Sequence, residues 1–65
     1  MKNFGKRLTK LREDRGLSLK DLANELKLTI ICLDYWEKDK LTLSINNIIK
    51  MAKYFNVSVD YLLGL

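Results

Sequence analysis

Lysine and arginine are the residues of this chain that are best suited to bind a partner through charge. Twelve of them stand against eight acidic residues, no histidine is present, and the formal net charge is +4. Residues 1–20 hold seven basic and two acidic groups, a net +5, whereas residues 21–65 hold five basic and six acidic groups, a net −1. The basic half favours a polyanionic partner, although the same charges would also suit a solvated helix.

Catalytic and metal-binding chemistry finds little support in the residue types. The single cysteine, Cys32, cannot form an internal disulfide, and without histidine it does not complete a zinc-ligand set. Because no Gly-rich phosphate loop and no nucleophile–base pair is present, we expect no enzyme activity, no cofactor and no small-molecule substrate. The longest apolar run, residues 30–33, is far too short for a membrane span, and no apolar signal segment begins the chain. The sequence therefore predicts a cytoplasmic protein.

The elements that would position any binding residues are helices, since apolar residues repeat at helical spacing and no strand pattern competes. The spacing predicts helices over about residues 3–14, 19–26 and 30–38, and then a loop over 39–43. A fourth helix is predicted between the cap Ser44 and the stop Asn56, and a short fifth helix after Ser58. The predicted apolar face of the fourth helix consists of Ile45, Ile48, Ile49, Ala52 and Phe55. Sixty-five residues without a linker make one small domain, residues 1–65, with a thin core.

The second and third helices have the contacts needed to pack across a tight turn. Leu22 and Leu26 lie four residues apart on one helix face, with the small Ala23 beside them, and Leu33 and Trp36 supply the opposing face. Cys32 is expected to be a small buried side chain at the same contact. The helix starts are also marked, because Ser18 and Asp21 form a capping-box pattern and Thr29 is a good N-cap.

Residues 16–37 resemble the helix-turn-helix of the phage-repressor and Cro-like (XRE) transcriptional regulators, and residues 4–12 and 48–64 look like the first and last helices of the same family. The resemblance implies an all-α, compact five-helix domain of the repressor type, with the helix-turn-helix formed by the second and third helices. Lys27 occupies the turn position where this family usually has glycine, so we expect a positive φ there. The family also implies a structural salt bridge between Arg12 and Glu37.

The function that the resemblance implies is that of a sequence-specific, repressor-like regulator that binds double-stranded DNA as a homodimer. The third helix, about residues 29–38, would enter the major groove. The residues expected to point outward there are Thr29, Ile30, Ile31, Asp34, Tyr35 and Lys38. Further candidates for contact with the DNA backbone are Arg7, Lys10, Lys20, Lys40 and Asn46. The candidate dimer contacts are Tyr61, Leu62 and Leu65.

The outward residues of the third helix depart from the family, which usually carries polar side chains there. Ile30 and Ile31 could contact thymine methyl groups, could form a protein-binding patch with Tyr35, or could mark a copy whose reading surface has been altered. Residues 21–39 also hold two lysines against five acids, a net −3. The alternative function is therefore a protein-interaction module on the same fold, with weak or lost DNA binding and a partner at the apolar face of Ile30, Ile31 and Tyr35.

Overall fold

The computed structural model describes residues 3–40 and 44–65, and every regular element in this part of the chain is an α-helix. The helices are α1 (Phe4–Asp14), α2 (Leu19–Leu26), α3 (Ile30–Glu37), α4 (Ile45–Phe55) and α5 (Val59–Leu63). The predicted all-α fold is confirmed, and the predicted bounds of the first three helices hold to within one residue. Part of the predicted loop, residues 41–43, lies outside the described residues. No described helix is long and apolar enough to cross a membrane.

The helix starts follow the predicted caps. The side chain of the N-cap residue accepts a hydrogen bond from a backbone N–H three residues later at Ser18, Thr29, Ser44 and Ser58. At α2 the capping box is complete, since the Asp21 carboxylate accepts in return from the Ser18 N–H at 3.1 Å. The hydrogen bond from the Ser18 N–H lowers the pKa of the Asp21 carboxyl, and an interaction of that carboxyl with the Ser18 side chain lowers its pKa further.

Two helix ends adopt the left-handed conformation at the residues that the sequence marks for them. Lys27 closes α2 with φ 57° and ψ 43°, and Asn56 closes α4 with φ 56° and ψ 46°. Gly16, just beyond the end of α1, has φ 68°. The tight turn between α2 and α3 is thus built with a lysine in a conformation that favours glycine.

The core is formed by all five helices. It consists of Phe4, Leu8, Leu22, Ala23, Leu26, Leu33, Trp36, Ile48, Met51, Ala52, Phe55 and Leu62. The predicted apolar face of α4 is partly wrong, because Ile45 and Ile49 are 60% and 38% exposed and Met51 is fully buried instead. The buried stripe of α4 follows the i, i+3, i+4, i+7 spacing from Ile48, and the two exposed isoleucines lie at the edge of that stripe.

Candidate nucleic-acid interface

Arg12 holds the end of α3 against α1. Its Nε donates to Glu37 Oε2 at 2.7 Å and its Nη2 donates to Glu37 Oε1 at 3.3 Å, so the pair implied by the family resemblance is present and is bidentate. The two side chains are only 14% and 10% exposed. The Glu37 hydrogen bond raises the pKa of Arg12 further. Because Arg12 Nη1 also donates to the Leu17 carbonyl at 2.8 Å, one guanidinium joins α1, α3 and the turn before α2.

A second contact between α1 and α3 has no counterpart among the sequence predictions. The first turn of α1 lacks a side-chain cap of its own, and the Gly5 N–H donates instead to Asp39 Oδ1 at 3.0 Å, just beyond α3. Gly5 is buried, and a Cβ atom there would overlap the Glu37 carbonyl and lie 2.9 Å from Asp39 Oδ2. The sequence signal for this close approach is a glycine inside an otherwise helical pattern.

Two further arginines tie α1 to the last two helices. The Arg15 guanidinium lies over the rings of Tyr54 and Phe55, at 5.3 and 5.1 Å from their centroids, and donates to the Tyr54 carbonyl at 3.0 Å. The Arg7 guanidinium lies 5.7 Å from the centroid of the Tyr61 ring. The sequence predicts no role for Arg15 and a contact with the DNA backbone for Arg7, and it gives no sign of either ring contact, since contacts between distant helices leave no local pattern.

The outer face of α3 lies at the surface of the domain. Ile31 is 66% exposed, Ile30 is 44% exposed and Tyr35 is 42% exposed. Thr29 is exposed as well, and its hydroxyl oxygen accepts from the Cys32 N–H at 3.2 Å. These side chains therefore point outward as the sequence predicts.

The inner face of α3 is also as predicted, with one correction. Leu33 and Trp36 are buried in the core. The expectation that Cys32 is buried is wrong, because it is half-buried and packs at the edge of the core. Cys32 lies between the exposed Ile31 and the buried Leu33 on the helix, so its surroundings are intermediate.

The charges around α3 are partly offset within the helix. Lys38 Nζ donates to Asp34 Oδ2 at 3.0 Å, one turn away, and the Asp34 side chain is 34% exposed. Lys20, Lys40 and Asn46 are all exposed, at the start of α2, after α3 and in the first turn of α4. Lys10 is exposed too and pairs with Asp14 at 3.5 Å. Donors suited to phosphate oxygens thus lie on the elements that flank α3 in the chain.

The candidate dimer residues fall into two groups. Tyr61 is 43% exposed and Leu65 is 87% exposed. Leu62 is fully buried in the core, so its side chain offers no surface to a second copy, and the prediction that it is a dimer contact is wrong. The short α5 explains the difference, since adjacent residues of a helix point in directions about 100° apart.

The arrangement suits binding to a surface. Among residues 3–40 and 44–65 no group of three His, Cys, Asp or Glu side chains is placed to hold a metal ion. The short helix α3 is fixed at its end by the Arg12–Glu37 salt bridge, and its outer face is open to solvent. Such a helix can enter a groove about as wide as itself, and the major groove of B-DNA admits one α-helix.

The chain matches a family model and resembles a curated protein. A family model described as a helix-turn-helix domain matches residues 5–65. The chain is also similar to the HTH-type transcriptional regulator ImmR of Bacillus subtilis (strain 168), with 34% identity over 62 residues. That alignment covers 95% of this chain and 49% of the relative, so the chain spans about half the length of the curated protein it matches.

Proposed function

The chain belongs to the XRE-like helix-turn-helix family, and from this premise we propose that it is a sequence-specific, DNA-binding transcriptional regulator of the repressor type. The observation that carries the proposal is the outer face of α3, which is exposed at Ile30, Ile31 and Tyr35 while its inner face is anchored in the core. In this mode α3 enters the major groove, and its first residues meet the base edges.

Phosphate contacts would come from the donors beside α3. Lys20, Lys38, Lys40 and Asn46 are exposed, and side chains of these types bind phosphate oxygens and fix the register of a protein on the duplex. Release of counterions by such contacts supplies most of the affinity in ordinary DNA binding, and it makes that affinity depend on salt.

The regulator would act as a homodimer on a two-fold related site. Tyr61 and Leu65 are the exposed apolar residues at the C-terminal end and are the contacts we propose. In this mode the two copies of α3 would be spaced by about one helical turn of DNA, roughly 34 Å.

A second candidate function rests on the apolar character of the same face. Ile30, Ile31 and Tyr35 form an exposed apolar surface on α3, and contiguous surfaces of this kind often mark protein–protein contacts. In that case the domain would bind another protein through α3 and would have little affinity for DNA.

A salt titration separates the two candidates. The purified protein is titrated against a generic labelled duplex at two salt concentrations. Micromolar binding that collapses at the higher salt supports the DNA-binding function, because it reports phosphate neutralisation. Failure to bind at low salt contradicts that function and favours the protein-interaction module.

Substitution of both Ile30 and Ile31 by Arg and Gln gives an independent test. If α3 reads DNA, the double variant should bind DNA with a changed sequence preference. If α3 binds a protein, the double variant should lose that partner and gain affinity for DNA.

A further inference from the structure

We infer that the first turn of α3 reads the 5-methyl group of a pyrimidine, which is thymine in unmodified DNA, through Ile31 and Ile30. The inference rests on the proposed DNA-binding function and specifies what the α3 surface selects. An apolar surface is unusual for a base-reading helix, and the inference explains it as a preference for a methyl group.

The placement of the two side chains is the first step. Ile31 is 66% exposed and Ile30 is 44% exposed, and they are the first two residues of α3. A recognition helix presents its N-terminal residues to the base edges, so these are the side chains that reach deepest. Tyr35, one turn after Ile31 and 42% exposed, extends the apolar surface along the same face.

The donors that would read a purine are missing from this turn of α3. Guanine is read by Arg or Lys, and adenine by the amide of Asn or Gln, and α3 begins with neither type. Lys38 lies at the end of α3, about two turns after Ile31, and its Nζ donates to Asp34 Oδ2 at 3.0 Å, so it is not a donor of the first turn. The Thr29 hydroxyl oxygen accepts from the Cys32 N–H as the helix cap, so only its O–H can still donate to a base.

The remaining major-groove group that an aliphatic side chain contacts favourably is the thymine methyl. An isoleucine placed against the polar edge of guanine, adenine or unmethylated cytosine would bury donors or acceptors without partners, which is unfavourable. Contact with a methyl group would instead remove two apolar surfaces from water. Transfer of one methyl group corresponds to about fourfold in affinity.

The test compares duplexes that differ by single methyl groups. A binding site is first enriched from a pool of random-sequence duplexes with the unaltered protein. In a first series, each thymine of the enriched site is replaced by uracil, which deletes only the methyl group. In a second series, each thymine is replaced by cytosine, and that cytosine is then replaced by 5-methylcytosine, which carries the methyl group again. We expect about fourfold weaker binding on loss of the methyl at one or two positions, and recovery when 5-methylcytosine restores it.

Single-residue variants assign the effect to α3. Ile31→Ala and Ile30→Ala should each bind the thymine and uracil duplexes equally at the position that the trimmed side chain contacts. Ile49→Ala, which trims an isoleucine of α4 that is 38% exposed, is the matched control and should keep the difference between the two duplexes. Because the readout is a ratio of affinities for two duplexes, a general loss of stability or of dimer formation does not imitate it.

The outcomes are distinct. Enrichment of one site with binding that is unchanged by uracil at every position would overturn the inference and leave the proposed function standing. A methyl effect that survives Ile31→Ala and Ile30→Ala would overturn the assignment to these residues. Absence of any enriched site would contradict the proposed function itself.

Discussion

At the scale of the single residue, Lys27 concentrates the strain of the helix-turn-helix. Its φ of 57° and ψ of 43° place it in the left-handed region, where a Cβ atom is unfavourable. The conformation is imposed by the turn, since the Leu28 N–H donates back to the Ala23 carbonyl at 2.9 Å and closes α2. The packing of α3 against α2 therefore depends on Lys27 adopting a left-handed conformation that is unfavourable for a residue with a Cβ atom.

Replacement of Lys27 by glycine should relieve that strain. We expect the Lys27→Gly variant to have a free energy of unfolding about 1 kcal/mol higher than the unaltered protein. Urea denaturation followed by circular dichroism measures the change. Lys27→Ala is the control, because it removes the same charge but keeps a Cβ atom, and equal stability of the two variants would contradict the strain argument.

At the scale of the element, the helix bounds could be predicted because the signals that set them are local. Ser18 and Asp21 are three residues apart and complete a capping box by themselves, and Thr29 caps α3 in the same way. Asn56 likewise stops α4 with its own backbone. A sequence shows such signals directly, since cause and effect lie within one turn of helix.

Contacts between elements are less accessible from the sequence. The pairing of Arg12 with Glu37 could be expected only from the resemblance to a family. The hydrogen bond from Gly5 to Asp39 joins residues 34 positions apart, and the glycine signals a close approach without indicating its partner. The prediction for Ile45 on α4 is wrong for a related reason, because apolar spacing does not tell how wide a face the neighbouring helices cover.

The close approach of α1 to α3 predicts an inverted effect of an alanine substitution. Glycine to alanine inside a helix ordinarily stabilises it by up to about 1 kcal/mol. At Gly5 the added Cβ would overlap the Glu37 carbonyl, so we expect Gly5→Ala to lower the free energy of unfolding by about 2 kcal/mol. Thermal or urea unfolding measures the effect, and a neutral or stabilised variant would contradict it.

A second glycine provides the comparison for that experiment. Gly16 has φ 68°, and a Cβ atom added there would meet no neighbouring atom of the described residues within 4 Å. Gly16→Ala should therefore cost only the left-handed backbone, about 1 kcal/mol. A larger loss at Gly5 than at Gly16 would separate the steric contact from the backbone effect.

The Arg12–Glu37 pair should be strongly coupled. Its side chains are 14% and 10% exposed, so removal of one partner leaves the other charge poorly solvated. We expect Arg12→Met and Glu37→Gln each to destabilise the fold, with a coupling energy of about 1–3 kcal/mol in the double-mutant cycle. Urea denaturation of the four proteins gives that energy.

The exposed pair of Lys10 and Asp14 is the matched control for the cycle. Both side chains lie one turn apart on α1 and are 71% and 62% exposed, so solvent screens their interaction. Its cycle should give a much smaller coupling. Equal coupling in the two cycles would mean that burial adds nothing to the Arg12–Glu37 contact.

At the scale of the whole molecule, the acidic residues near α3 have partners that the summed charge of their segment does not show. Residues 21–39 have a net charge of −3, which argues against contact with a polyanion. In the fold, however, Glu37 is paired with an arginine of α1, and Asp34 is paired with a lysine one turn away. Asp39 accepts from the first turn of α1, and Asp21 completes the capping box of α2. These acids keep their charge, but each has a partner within the fold, and Lys20 and Lys40 beside α3 are exposed.

The last prediction concerns Lys40, one of the exposed lysines beside α3. If Lys40 contacts a phosphate, Lys40→Gln should weaken binding to every duplex by a similar factor. It should reduce the slope of log K against log salt by about 0.9 for each copy bound, which is about 1.8 for the proposed dimer. Lys53→Gln is the matched control, because Lys53 is equally an exposed lysine but lies in the last turn of α4, the end away from Lys40 in the chain. Lys53→Gln changes the net charge by the same amount as Lys40→Gln. If the slope depends on phosphate contacts and not on net charge, Lys53→Gln should leave the slope unchanged. Equal slopes for the two variants would mean that the basic residues act only through the overall charge of the molecule.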